Sequence, residues 1–339
     1  SKDLKWETAK TTDIGIELGF LNNDLTLQVD YFVKKNVDLL AQIDLNLSSG
    51  QVFEINSSRE KPYVNSASVR NKGWEFLLNY RKQLTKDFSI DATFNLSTLK
   101  NEVLSLGDNV QPITSGAMSS FFNDSPSITK PGEAIGSFYG YKIDGFDAEG
   151  NFIFSDTDDN GIVNANDKVI LGNPIPDFSY GLNLSMSYRD FDLTMFFQGV
   201  HGNEIFNQKK YTYYFDYSNN CVTDVLNAWS ETNRNTNIPI MKTQNTNGGN
   251  SLPSEFYIED GSYFRCKNLQ IGYNLPKGIL NKISFNKLRI YAGVQNLFTV
   301  TNYSGYDPEV SSNALFSRGI DTASYPNART FTFGFNASF

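Results

Sequence analysis

Apolar and polar side chains alternate with a period of two in segment after segment of this chain, the signature of strands with two unlike faces. In RTFTFGFNASF at the C-terminal end, Phe331, Phe333, Phe335, Ala337 and Phe339 share one face, and Thr332, Gly334, Asn336 and Ser338 share the other. Near the start, Ile14, Ile16, Leu18 and Phe20 alternate with Asp13, Gly15, Glu17 and Gly19. Leu25, Leu27, Val29 and Tyr31 then alternate with Thr26, Gln28 and Asp30. The rhythm returns from Trp74 to Tyr80, Phe88 to Leu96, Tyr180 to Tyr188, Phe191 to Phe197, Leu269 to Tyr273 and Leu288 to Val294. That makes nine strands, close to the roughly 9–11 residues a tilted strand needs to cross a bilayer. A half-buried soluble strand reads the same in isolation. Repetition tips the balance, because the second face is mostly Ser, Thr, Asn, Gln and charged residues, as a hydrated lumen requires.

The connections sort by length. Short ones lie at Leu21 to Asp24, Leu84 to Asp87, Arg189 to Asp190 and Pro276 to Asn286, and long ones at about residues 35 to 71, 101 to 177, 201 to 261 and 299 to 327. Short periplasmic turns set against long extracellular loops are the outer-membrane pattern. With that orientation the strand at 11 to 20 runs inward and the ninth ends in the periplasm at Phe339. The same parity forbids the strand-like IGSFYGYKIDGF, Ile135 to Phe146, from being a single crossing. It is expected inside the 101 to 177 excursion, paired there with another strand. The predicted fold class is all-β, a portion of a transmembrane antiparallel β-barrel. Nine strands leave unpaired edges at 11 to 20 and 328 to 339, and bare backbone groups are not tolerated in hydrocarbon. A missing N-terminal part is therefore expected to supply further strands, the first of them beside 328 to 339.

Composition supports this picture. Aromatics are 14% of the residues and charged residues 19%, with 27 Phe and 18 Tyr against 4 Met and 3 Trp. Barrels place such rings on lipid and in interfacial girdles. Mean hydropathy is negative, and no apolar run approaches the length of a spanning helix. The net charge of −8 argues against a nucleic-acid partner, which wants a basic face, and no basic patch appears in the sequence. The opening SKDLKWETAK has neither an initiator Met nor a signal sequence and reads as a mature fragment or a split subunit. Cys221 and Cys266 are too few for a disulfide scaffold, and two unrelated thiols are the plainer reading.

Five internal segments then become informative together: NKGWEFLLNY from Asn71, PGEAIGSFYGYKIDGF from Pro131, LGNPIPDFSYGL from Leu171, DGSYFRCKNLQIGYNLP from Asp260 and LRIYAGVQNLFTVTNYSGYDPEV from Leu288. With the terminal YPNARTFTFGFNASF, they resemble successive motifs of the SusC/RagA family of TonB-dependent outer-membrane transporters, in order and across nearly the whole chain. The resemblance implies a barrel of about 22 strands, a plug inside it and a SusD-type surface lipoprotein as a hinged lid. It also implies glycan or peptide substrates and import driven by TonB pulling on the plug. This chain holds neither the plug nor the TonB-contacting segment, so it would supply wall, loops and part of the binding chamber. A receptor for another ligand class, a structural or adhesive barrel, and a soluble β-rich lectin are the competing readings.

One loop has metal-ligand spacing. DTDDNGIVNAND places Asp156, Asp158, Asn160, Asn164 and Asp167 at relative positions 1, 3, 5, 9 and 12, with Gly161 at 6 and the Ile162 carbonyl at 7. A hard cation such as Ca²⁺ takes oxygens in this arrangement, and the glycine permits the sharp turn. Asp167 stands where Glu is usual and shortens the reach, no EF-hand helices flank the loop, and an acidic solvated turn has the same composition. A second group is aromatic: Tyr211, Tyr213, Tyr214 and Tyr217 in KKYTYYFDYSNN, then Trp229, with Tyr303 and Tyr306 in NYSGYDPEV. These rings suit stacking on sugars or gripping peptides, but packing between loops or against a lid explains them more simply. His201 is the only histidine and reads as a turn residue, which leaves no multi-histidine metal site or alternative Ser-His-Asp arrangement. No phosphate loop or paired-Cys motif is present, and no enzyme is expected.

Overall fold

The computed structural model describes residues 4–42, 63–107, 111–116, 124–216, 220–242, 248–283, 285–310 and 315–338. Nine strands follow one another along a single antiparallel sheet. They are β1 (Thr8–Phe20), β2 (Leu25–Gln42), β3 (Tyr63–Gln83), β4 (Phe88–Thr98), β5 (Phe178–Tyr188), β6 (Phe191–His201), β7 (Tyr263–Asn274), β8 (Lys287–Thr301) and β9 (Thr330–Ser338). Each pairs only with its neighbours in sequence order, β1 on β2 through to β8 on β9, and β1 and β9 do not pair with each other. One further strand, Lys100–Leu106, extends the β3 ladder beyond the end of β4.

Register carries the apolar face across the whole wall. Leu18, Leu27, Leu78, Phe94, Leu182, Phe197, Cys266 and Phe298 are successive partners from β1 to β8. A second row, Ile90, Met186, Leu193, Ile271, Ala292 and Phe333, runs from β4 to β9. Because a strand's side chains alternate strictly, the opposite face holds the polar partners. Arg81, Asp91, Ser185, Thr194, Gln270, Gly293 and Thr332 are paired in turn across β3 to β9. On that inner face Arg289 Nε donates to Asp192 Oδ1 at 2.9 Å, and Thr93 donates to Asn79 at 2.8 Å.

Among the described residues much of the apolar face is left open: Ile14 is 66% exposed and Phe333 79%. In water this would be a large patch without a partner; facing acyl chains, it is what a membrane wall requires. Rings collect at its two ends. Phe88 with Tyr188 and Phe191 with Tyr273 lie at the short-turn end. Tyr180, Phe197, Phe264 and Phe298 cluster at the long-loop end. Tyr180 and Tyr188 are separated by roughly 27 Å along β5, which a tilt of ~35–45° reduces to about 20 Å across the membrane.

The strand count, the order and the sorting of connections agree with the sequence reading. Three details differ. β2 and β3 are 18 and 21 residues long, so the loop expected at 35 to 71 begins later, after Gln42, and ends earlier, before Tyr63. Beyond the apolar band, at Lys34, Lys35, Asn36 and Arg70, Asn71, Lys72, the ladder continues with polar residues on both faces and the alternation stops marking it. The connection from β7 to β8 contains a short helix, Lys277–Ile283, and His201 is the last residue of β6. Cys221 is exposed, Cys266 is buried, and both are free thiols. Phe339 lies outside the described residues.

Candidate functional site

The buried core of the molecule lies in the loops. Phe138, Phe152, Phe206, Phe215, Tyr257 and Ile320 form one cluster, drawn from all three connections that follow β4, β6 and β8. Phe206 stacks on Tyr257 at 5.1 Å and meets Phe138 at 6.0 Å. Small sheets frame it. Val169–Gly172, Ser137–Gly140, Ser127–Thr129 and Ile113–Ser115 make one, and Ile258–Asp260, Glu204–Asn207 and Ile320–Asp321 another. Ile143–Phe146 pairs with Phe152–Phe154. The Ile135 to Phe146 stretch thus folds outside the membrane sheet, as its parity required. It is split between two of these sheets because Tyr141 leaves the strand to bridge Ser254.

This lobe is clamped to the wall at the mouth. A bulge at Lys267 in β7 resets the alternation, so that Tyr263 and Arg265 turn inward above it. Arg265 is buried and reaches Asp307 Oδ1 at 2.6 Å and the Glu309 carboxylate. Glu309 also accepts from Gln198 at 2.6 Å, Tyr263 at 3.0 Å and Asn327 at 2.8 Å, with Lys267 at 3.1 Å. Burial pushes the Asp307 carboxyl up, but the Asn327 and Glu309 amides and the Arg265 guanidinium outweigh it and hold the group below the usual carboxylate range. A second clamp centres on Glu259, which takes Lys210 at 2.9 Å and the amide and hydroxyl of Ser304, each at 2.8 Å. Burial again opposes ionisation there, and Lys210 and Ser304 overcome it. The sequence reading passed over Arg265 and Glu309. They are 44 positions apart, and the one local sign was the broken alternation at Arg265, Cys266 and Lys267.

The aromatic candidates do not converge on one surface. Tyr211 and Tyr214 pack against the loop core, and burial with nearby Asp224 pushes the Tyr214 hydroxyl up to about 12. Trp229 is buried, its ring over Gly150. Tyr303 is buried and donates to Asp321 Oδ2 at 2.6 Å. Tyr213 and Tyr306 do come together, hydroxyl to hydroxyl at 3.3 Å, and Tyr306 is 63% exposed. Tyr217 lies outside the described residues.

In the acidic loop, one ligand atom each from Asp156, Asp158 and Asp167 lies within 4.8 Å of the others. Gly161 has φ +82°, the left-handed turn its position requires. Asn160 accepts from the Ile162 amide at 2.8 Å. Asn164 is turned to the backbone: its amide donates to the Ile162 carbonyl at 2.9 Å and its oxygen accepts from Asn166 at 2.9 Å. Asp167 is buried and accepts the amides of Asn164 and Thr157 at 2.7 Å each, which keeps its carboxyl below the ordinary range. The three gathered carboxylates are hard-oxygen donors of the kind Ca²⁺ takes.

A two-faced antiparallel wall, apolar and girdled outside and polar within, with its loop mass at one end, is a segment of an outer-membrane β-barrel. The family model described as TonB dependent receptor-like, beta-barrel matches residues 1–297, and the chain belongs to that family. TonB-dependent receptor P3 of Formosa agariphila is 37% identical over 99% of this chain and 34% of its own length. TonB-dependent receptor SusC of Bacteroides thetaiotaomicron is 30% identical over 100% of this chain and 32% of its own length. Among solved structures, the RagAB peptide transporter superposes with a TM-score of 0.81 at 24% identity, over 100% of this chain and 36% of that one. The chain therefore spans about a third of the length of the relatives it matches. The two curated relatives are named as TonB-dependent receptors, not as enzymes.

Proposed function

We propose that this chain is the C-terminal wall and loop lobe of a TonB-dependent importer of glycans or peptides. An N-terminal part completes its barrel and carries the plug, TonB engages that part, and a SusD-type lipoprotein sits over the loops. The observation that carries this reading is the continuous apolar face of the nine-stranded sheet, whose two terminal strands each have no second partner among the described residues. Sheet edges in hydrocarbon must be paired, so β9 is read as meeting the first strand of the N-terminal part. The orientation assigned is loops outward and short turns toward the periplasm. Peptide follows the name of the RagAB peptide transporter, and glycan follows the SusC/RagA resemblance of the sequence motifs. The test is affinity purification of the full-length protein from outer membranes, with growth of the deletion strain on single glycan or peptide sources. Co-purification of a surface lipoprotein together with a growth defect on one such source supports the reading, and a barrel that purifies alone from a strain with no nutrient defect overturns it.

We also propose a structural Ca²⁺ in the loop from Asp156 to Asp167. Support comes from the three gathered carboxylates, each with lone pairs left after its amide contacts. Its role would be to stiffen the loop, since the donors are all hard oxygens from one short segment.

A further inference from the structure

Lys209, just after the strand Glu204–Asn207, is only 5% exposed, and its ammonium lies 3.9 Å from Asp321 Oδ2. Among the described residues it has no hydrogen-bond acceptor. Asp321 is already served: Tyr303 donates to Oδ2 at 2.6 Å, and the amides of Ala323 and Ser324 donate to Oδ1 at 2.9 Å each. What stands over the ammonium is the Tyr306 ring, with its centroid 3.3 Å from Nζ. A ring face attracts a cation but offers no lone pair to its N–H groups. The charge of Lys209 is thus balanced by Asp321 while its donors remain unmet, a costly state for a buried group. The cover is itself largely exposed, and the hydroxyl of Tyr213 at 3.3 Å is its tether.

Beside this pair lies a cavity of about 130 Å³ lined by Gln208, Lys209, Thr212, Tyr213, Thr322 and Ala323. Ala323 holds φ +88°, a left-handed conformation that costs a residue with a Cβ and is found where surrounding structure enforces it, often beside ligands.

We propose that Tyr306 is a displaceable cover and that Lys209 anchors a subsite for an uncharged, hydroxyl-bearing ring such as a hexose. Charge decides against an acid, because a carboxylate on Lys209 would also face Asp321. A neutral hydroxyl oxygen supplies the missing acceptor without that repulsion. The lining fits the same ligand: the Gln208 amide and the Thr212 and Thr322 hydroxyls both donate and accept, and Tyr213 gives an aromatic wall. The proposal rests on the import reading only in supposing that glycans reach this face.

The test uses the full-length protein and glucose, and measures no transport, so its failure leaves the import reading standing and can be told apart from it. Crystals soaked in concentrated glucose should show a hexose oxygen within hydrogen-bond distance of Lys209 Nζ and the Tyr306 ring moved aside. In solution, Tyr306→Ala should raise labelling of Lys209 by an amine-reactive ester roughly tenfold, the order of a lost cation–π contact. Tyr306→Phe keeps the ring over the ammonium but loses the hydroxyl tether to Tyr213, and should label at a rate between those of the wild type and Tyr306→Ala. Glucose should slow labelling of Tyr306→Ala, whereas glucuronate and glycylglycine should not. A soaked structure with Tyr306 in place and only water in the cavity overturns the proposal. So does unchanged labelling in Tyr306→Ala, or protection by glucuronate or glycylglycine equal to that by glucose.

Discussion

Arg265 on β7 and Asp307 in the loop after β8 form an ion pair of 2.6 Å with side chains only 3% and 7% exposed. A buried guanidinium that reaches two carboxylates is worth more for what its loss leaves behind than for the pair itself. In Arg265→Ala, Asp307 and Glu309 stay close together without their shared cation. We expect a loss of about 3–5 kcal/mol in the stability of the loop lobe, read as lowered thermal stability of the full-length protein in detergent. A double-mutant cycle with Asp307→Asn should return a substantial coupling energy. Additive effects would mean that Arg265 and Asp307 do not act as a clamp.

The same clamp sets an acid limit. The folded Asp307 carboxyl lies below the ordinary carboxylate range, so the unfolded state binds its proton first as pH falls. Its contribution is then fully present above the unfolded value near 3.9 and is lost as pH drops through the lower folded value. Hydrogen exchange of the segment 302–310 should therefore change little from pH 8 to 5, after correction for intrinsic rates, and rise below about pH 4. In Asp307→Asn the acid-induced step should shrink. A step of full size in that variant would assign it to other carboxylates, Glu259 first among them.

Phe333 and Asn336 lie on the same strand and face different media. Phe333 is in register with Ala292 on the lipid-facing side, and Asn336 with Arg289 on the inner side. Phe333→Arg should cost roughly 2–4 kcal/mol if the site lies near the bilayer midplane, while Asn336→Arg enters a hydrated lumen and should be tolerated. Folding into vesicles, followed by heat-modifiable gel mobility, measures both. Equal tolerance of the two would contradict the facing assigned to β9.

What could be read from sequence follows from the range of the interactions. Period-two alternation is a local signal fixed by the pleat, so nine strands and their parity were visible without any knowledge of contacts. It fails where a bulge intervenes: Phe264 and Cys266 face the same side as Leu269 only because Lys267 is extra, and β7 was legible only from Leu269. The loop core was hidden for a different reason. Phe206 and Tyr257 lie far apart in the chain, and nothing in YTYYF shows that Tyr211 and Tyr214 pack inward while Tyr213 meets Tyr306. The acidic loop lies between these cases, since its spacing was legible and the carboxylates do gather. The turning of Asn164 toward the backbone was not.

Gly150 and Trp229 give the loop lobe its own test. Gly150 sits at φ +82°, and a Cβ there would fall 2.3 Å from the buried Trp229 ring. Gly150→Ala therefore meets two penalties, a left-handed backbone of about 1–2 kcal/mol and overpacking of about 1–3 kcal/mol. Adding Trp229→Leu should relieve the second and leave the first, so the double variant should be more stable than the sum of the singles. Limited proteolysis of the loop lobe in the full-length protein ranks all four forms. Strict additivity would mean that the ring moves away freely and that this contact does not order the loop.

Calcium should stiffen the Asp156 to Asp167 loop if the proposed ligands act together. Asp156, Asp158 and Asp167 bring three negative charges within a few ångströms, with oxygens 4.8 Å or less apart, and mutual repulsion is what a dication relieves. Asp167 sits where a longer Glu would capture the ion with both oxygens, and it already serves two backbone amides at 2.7 Å. Affinity is accordingly expected in the weak extracellular range, a Kd of about 10⁻⁴–10⁻³ M. Proteolytic cutting between 156 and 167 should slow when millimolar Ca²⁺ is added and return with chelator. Asp158→Asn removes one charge but keeps an oxygen and should weaken the protection several-fold, whereas Asp158→Ala should abolish it. Mg²⁺ should protect poorly, because it demands tighter octahedral geometry and gives up its waters reluctantly. If Ca²⁺ leaves the cutting rate unchanged in the wild type, the three carboxylates are a solvated turn held by its own amides, and the metal assignment fails.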